Sequence, residues 1–80
     1  MKELLKFLVE NIAAEKDKIK IIEKKEVDKI KYIIKVSKND IKNLIGREGK
    51  MIKSIKRFVN MAAINKGIQK RIPIEIVDEY

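Results

Sequence analysis

The chain has 80 residues and a formal charge of +8, with 20 Lys and Arg against 12 Asp and Glu; this bounds it to one domain with a modest core, and the charge reads equally as an acidic partner, nucleic acid first and an anionic membrane surface second, or as a Lys-rich, Ile-rich bias that solvates the surface. It contains neither cysteine nor histidine, which excludes a disulfide framework and thiolate metal sites and removes the commonest metal ligand and general base, so no metal, cofactor or enzymatic activity is expected. The opening Lys-Glu-Leu-Leu-Lys-Phe is too charged for a signal peptide and no stretch approaches the ~20 apolar residues of a membrane span, so the expected compartment is the cytoplasm.

Residues 2–14 read as a helix, because Leu4, Leu5, Leu8 and Ile12 recur on one face. Glu15 to Lys18 is a polar break. Ile19 to Glu23 is short and β-branched and reads as a strand, and Lys24 to Asp28 as a charged connector of hairpin length. Residues 29–36 give the clearest strand: Ile30, Tyr32, Ile34 and Val36 alternate with Lys29, Lys31, Ile33 and Lys35. One side of this sheet is therefore wet, and its lysines read as a solvated face.

Ser37 occupies an N-cap position with Asp40 three residues on, close to a capping box. A short helix over 38–45 follows, then Gly46-Arg47-Glu48-Gly49, then a helix from Lys50 to Lys66 with Gly67 as its C-cap. Arg71 to Val77 is the last strand, with Ile72, Ile74 and Ile76 on one face. Pro73 lacks an N–H, which favours a sheet edge. Asp78-Glu79-Tyr80 forms a short acidic tail. The expected class is α+β in the order α-β-β-α-α-β, a three-stranded sheet with the helices on its apolar face.

The Gly-x-x-Gly turn is the candidate site. Glycines let a partner approach the backbone closely, and the next helix begins with free N–H groups that suit an anion. On a helical wheel, Ile52, Ile55, Val59, Ala62 and Ala63 form a core stripe. Lys50, Lys53, Arg57 and Asn60 lie on the far side, with Lys56 at the edge. Phe58 and Met61 occupy a flank. A dinucleotide fingerprint and a P-loop both need glycines that are absent. A DNA-reading helix-turn-helix is the serious rival, but such folds are mostly helical, whereas this turn lies between two strands. The bland alternative is an α-α corner in a small α+β domain. Ser37 reads as a cap, and Asp40 and Glu48, taken as two exposed carboxylates near the loop, do not make a catalytic constellation.

The run Leu44-Ile45-Gly46-Arg47-Glu48-Gly49-Lys50, preceded by Val36 to Ile45 and followed by Ile52, Ile55, Arg57, Val59 and Ala62-Ala63, resembles a KH domain. The element order is similar to the bacterial type II arrangement, with residues 1–28 as an N-terminal extension and 29–77 as the β-α-α-β core. Over essentially its whole length the chain resembles the stand-alone KhpA-type KH proteins. The resemblance implies binding of single-stranded RNA, about four nucleotides across the loop and an apolar groove, in an RNA chaperone or post-transcriptional regulatory adaptor. Carried over, Gly46 and Gly49 admit the phosphates, and Arg47, Lys50, Lys53 and Arg57 supply charge. Ile41, Leu44, Ile45, Ile52 and Ile34 line the groove. Glu48 departs from the family pattern, since an acid in the loop weakens phosphate binding; it favours the rival reading of a protein-interaction scaffold whose RNA site has decayed. The chain has only four aromatic residues, so broad base stacking is not expected. The resemblance also implies a homodimer or a heterodimer with a second KH-domain protein. The flank of the long helix, Phe58 and Met61 with Met51 and Asn65 at its rim, is the surface expected to carry it.

Overall fold

The computed structural model describes residues 1–68 and 71–78. Helix α1 (Lys2–Ile12) is followed by a single 3-10 turn at Lys16–Lys18, strands β1 (Lys20–Glu26) and β2 (Lys29–Val36), helix α2 (Lys38–Ile45), a 3-10 turn at Arg47–Gly49, helix α3 (Lys50–Asn65) and strand β3 (Ile74–Asp78). The α-β-β-α-α-β order expected from the sequence is the order found. The sheet runs β1-β2-β3, with β1 antiparallel and β3 parallel to β2.

The core follows from the two periodicities. On β2, Tyr32, Ile34 and Val36 are buried, joined by Ile21 from β1 and Ile74 from β3. Leu5 and Val9 of α1, Leu44 of α2 and Ile55, Val59 and Ala63 of α3 join from the helical layer, and Ile72, just before β3, completes the cluster. Burying an aliphatic side chain of this size contributes about 1.5–3 kcal/mol, and the long basic stretches contribute little of this kind. Tyr32 reaches through the core edge to donate to Glu23 across the ladder (2.8 Å). That bond holds the Glu23 carboxyl below its ordinary range. Burial, and then the carboxylate itself, push the Tyr32 hydroxyl well above its own.

Several boundaries differ from the sequence reading. α1 stops at Ile12 because Ala13 is extended (φ −75°, ψ 143°). β1 does not end at Glu23: Lys24, Lys25 and Glu26 pair with Lys31, Ile30 and Lys29, leaving Val27 and Asp28 as a two-residue turn. The charged residues of this hairpin hid a ladder whose backbone bonds do not depend on side-chain polarity. β3 begins after Pro73 rather than at Arg71. The Pro73 carbonyl still accepts the Tyr32 N–H (3.0 Å), so the proline sits at the start of an edge strand, where its missing N–H costs least. Asp78 closes β3 rather than opening a tail, and Glu79 and Tyr80 lie outside the described residues. At the end of α3 the Gly67 N–H bonds to Ile64 O and the Ile68 N–H to Ala63 O, both at 2.9 Å, which is a Schellman motif.

The capping box at Ser37 is not formed. Ser37 makes no side-chain cap bond. Asp40 is not an exposed carboxylate either: its exposure is 0%. Its Oδ1 accepts the Ala14 N–H (2.8 Å) and its Oδ2 the Glu15 N–H (2.9 Å), tying the first turn of α2 to the link between α1 and β1. Asn43 and Ser37 donate to the same carboxylate at 3.0 and 3.4 Å.

Candidate nucleic-acid interface

The loop is built by backbone geometry that its residues permit in unequal degree. The Gly46 N–H ends α2 on Lys42 O (2.9 Å), and Gly46 itself has φ 75° and ψ 176°, a region reserved for glycine. A Cβ there would lie 2.6 Å from Met51 Cβ and 2.9 Å from Met51 N. Gly46 therefore supplies both the turn and the close approach of α2 to the first turn of α3. Gly49 is left-handed (φ 74°, ψ 14°), with open space where its Cβ would be. Glu48 also has positive φ (56°), which costs a residue with a Cβ roughly 1–2 kcal/mol. The turn's own bonds use the N–H groups of Gly49 (3.2 Å to Gly46 O) and Lys50 (to Arg47 O) and leave those of Arg47 and Glu48 unused by it.

Arg47, Lys50, Lys53 and Arg57 are all exposed. None of them makes an ion pair with a described residue, in contrast to Lys18, Lys25 and Lys31, each held by a glutamate. Glu48 is exposed and makes no ion pair. Four uncompensated cations around a turn with spare N–H groups form a surface suited to phosphate oxygens. Lys56 is exposed at the edge of this face. Asn60 does not belong to it: its Oδ1 accepts the Ile72 N–H (2.8 Å) and its Nδ2 donates to Lys56 O (2.7 Å), so it pins the approach to β3 onto α3. Ser54 donates to Lys50 O within the helix.

Two of the residues expected to line an apolar groove do not reach the surface. Ile34 and Leu44 are fully buried in the core and present no surface to a ligand. For Ile34 the reason is strand order, since β2 is the central strand and its inward residues are covered; Leu44 is on the core-facing side of α2. Ile76 of edge strand β3 is the register partner of Ile34 and is only half-buried. Ile76, whose alternation with Ile72 and Ile74 is visible in the sequence, was not among the residues expected at this surface. Ile41 and Ile52 are half-buried against the core and Ile45 is exposed. Ile41 and Ile45, one turn apart on α2, lead from the loop along the helix that packs beside β3. A recess of about 1000 Å³ lies elsewhere, between the β1–β2 turn and the link from α3 to β3. Its walls carry Lys24, Lys25, Lys29, Lys31 and Arg71 with Glu26 and Asp28 among them, and Lys25 and Lys31 are already held by glutamates.

On the flank of α3, Phe58 is 52% and Met61 60% exposed, with Met51 and Asn65 also exposed. Phe58 is thus not tucked beneath α1. Ile64, further round the helix toward the basic side, is equally exposed and was not singled out from the sequence.

The family described as KhpA/KhpB, KH domain, matches residues 2–76. This chain belongs to that family. A protein of Chlamydia pneumoniae described as RNA-binding protein KhpA is 32% identical over 79 residues, covering 99% of both chains. Proteins of the same description from Chlamydia trachomatis serovar D and Clostridium perfringens are 30% and 29% identical, the latter over 96% of this chain and 100% of its own. Among the described residues no helix is long and apolar enough to cross a membrane, and no group of acidic side chains is disposed to hold a metal ion.

Proposed function

We propose that the chain binds single-stranded RNA across the Gly46–Gly49 loop, with the phosphates at Arg47, Lys50, Lys53 and Arg57 and the bases along Ile41, Ile45, Ile52 and Ile76. It would act in the cytoplasm as an RNA chaperone or post-transcriptional regulatory adaptor, as one KH domain with residues 1–28 as an extension. The observation that carries this is the cluster of four cations with no carboxylate partner around the Gly46–Gly49 turn. The relatives described as RNA-binding proteins support it.

The test is a titration of one labelled six-nucleotide sequence as RNA, as single-stranded DNA and as duplex. Preference for duplex DNA would favour the helix-turn-helix reading. Arg47→Asp should weaken the RNA at least tenfold, about 1.4 kcal/mol, with an unchanged melting temperature because the side chain is exposed. Unchanged affinity with an unchanged melt would remove the loop from the site. Glu48→Asn should move the other way, since it removes a negative charge and places in the left-handed region a residue that tolerates it; a two- to fivefold gain in affinity and a slightly higher melting temperature are expected. The exposed Glu48 also supports a second reading, an interaction scaffold without RNA, which the same titration would reveal as no binding to any of the three.

A four-nucleotide site is weak alone, and pairing two raises avidity. We infer that Phe58 and Met61, rimmed by Met51 and Asn65, form a twofold contact with a second copy or with another KH-domain protein. Phe58→Asp should yield a folded monomer with lower apparent affinity for RNA. Sedimentation decides this: a wild type that stays monomeric at high concentration, in the presence and absence of the partner protein, would overturn it.

A further inference from the structure

The helices cover only one face of the sheet. On the other, β1 presents Lys20, Ile22, Lys24 and Glu26, β2 presents Lys29, Lys31, Ile33 and Lys35, and β3 presents Glu75 and Val77. The register, which the sequence does not reveal, places like charges directly opposite one another. Lys20 faces Lys35 and Lys24 faces Lys31, with the Ile22–Ile33 pair between them. Directly opposed like charges destabilise a sheet, and here two such pairs stand on one open face. The carboxylates compensate in part: Glu75 holds Lys31 (2.8 Å) and Glu26 lies opposite Lys29. Ile22, Ile33 and Val77 are half-buried with no helix over them.

The two lysine pairs are four residues apart along the strands, about 13 Å. A stacked nucleic-acid strand advancing about 3.4 Å per nucleotide covers that distance in roughly four nucleotides. The face carries no aromatic residue, so it can hold a sugar–phosphate chain but cannot stack bases. We propose that the open face of the sheet is a second, sequence-independent RNA-backbone surface, used by RNA longer than the loop and groove accommodate. This rests on the RNA-binding reading of the loop and extends it.

The experiment compares salt dependence for six- and twenty-nucleotide homopolymer RNA on the full chain. Slope is read rather than affinity, because a longer chain gains affinity merely by offering more registers. The six-mer should give a log–log slope of about −2 to −3, from three or four phosphates at roughly −0.7 each. The twenty-mer should be steeper by about 1.5 to 2, two or three further phosphates. The double variant Lys24→Ala/Lys35→Ala should bind the six-mer within twofold of wild type, weaken the twenty-mer about tenfold and make its slope shallower than the wild type's by about 1.5 to 2. Its melting temperature should not fall, since opposed charges are removed. Equal slopes for the two RNAs in the wild type would overturn the proposal. A twenty-mer slope unchanged from wild type in the double variant would do the same, assigning the extra contacts to a second copy of the loop. Failure of the six-mer to bind, with lysine-dependent binding of the twenty-mer, would instead sink the loop reading and leave the sheet surface standing.

Discussion

Gly46→Ala should be far more damaging than Gly49→Ala, although both replace a loop glycine by one methyl group. At Gly46 two penalties act together. The backbone lies in a glycine-only region, which costs about 1–3 kcal/mol for any other residue. The new Cβ would also meet Met51 Cβ at 2.6 Å and Met51 N at 2.9 Å. Neither atom can rotate away, because both belong to the first turn of α3. A total of about 3 kcal/mol or more is expected, a fall in melting temperature of at least about 12 °C for a chain of this size. At Gly49 the cost is the left-handed backbone alone, about 1 kcal/mol, since nothing lies within 4 Å of its Cβ position. The variants should separate in RNA binding too. Gly46→Ala can be accommodated only by moving the end of α2 away from α3, which parts Ile45 from Arg47 and Lys50, so affinity should fall more than tenfold. Thermal melting and fluorescence anisotropy of the pair check this. Melting temperatures for the two variants within 3 °C of one another would show that the contact with Met51 does not constrain the loop.

How far the sequence discloses this molecule depends on which residues interact locally. β2, α2 and α3 are legible almost to the residue, because alternation on 29–36, the glycines at 46 and 49 and the Schellman glycine at 67 are signals carried by adjacent positions. The loop charges at Arg47, Lys50, Lys53 and Arg57 are equally local. What escaped is what needs the register or the strand order. Ile34 reads as a groove residue until β2 is known to be central, at which point Ile76 on the edge takes its place. The ladder from Lys24 to Glu26 escaped because charged side chains mask a backbone pairing. Asn60 and Asp40 escaped for a third reason. Each is polar at a position where helix periodicity allows solvent, and each is claimed by a backbone N–H distant in sequence, Ile72 in one case and Ala14 and Glu15 in the other.

Asp40 leads to the second large effect. Its carboxylate is fully buried and accepts two backbone N–H groups from a segment 25 and 26 residues away. The Ala14 N–H above all, with the Glu15 N–H, the Asn43 side-chain amide and the Ser37 hydroxyl, holds its carboxyl below the usual range, while burial works in the opposite direction. Asp40→Asn keeps the shape but replaces one acceptor oxygen by an NH2 group that must face an N–H donor. Losing a charge-assisted bond and burying an unsatisfied donor should together cost about 3 kcal/mol, lowering the melting temperature by more than about 10 °C. The pH dependence identifies the charge as the cause. A carboxyl whose pKa is depressed on folding stabilises above its unfolded value of about 3.9 and loses that contribution as pH falls through its folded value. The gap between wild type and Asp40→Asn should therefore be full at pH 5 to 7 and shrink below about pH 4. Glu23, also depressed, is present in both proteins, so the difference between their stabilities isolates Asp40. RNA affinity at neutral pH, measured below the variant's melting transition, should stay within about threefold, because Gly46 lies six residues on, about 9 Å along α2. A stability gap that stays constant from pH 2 to 7 would show that the shape of the side chain, and not its charge, fastens α2 to the link before β1.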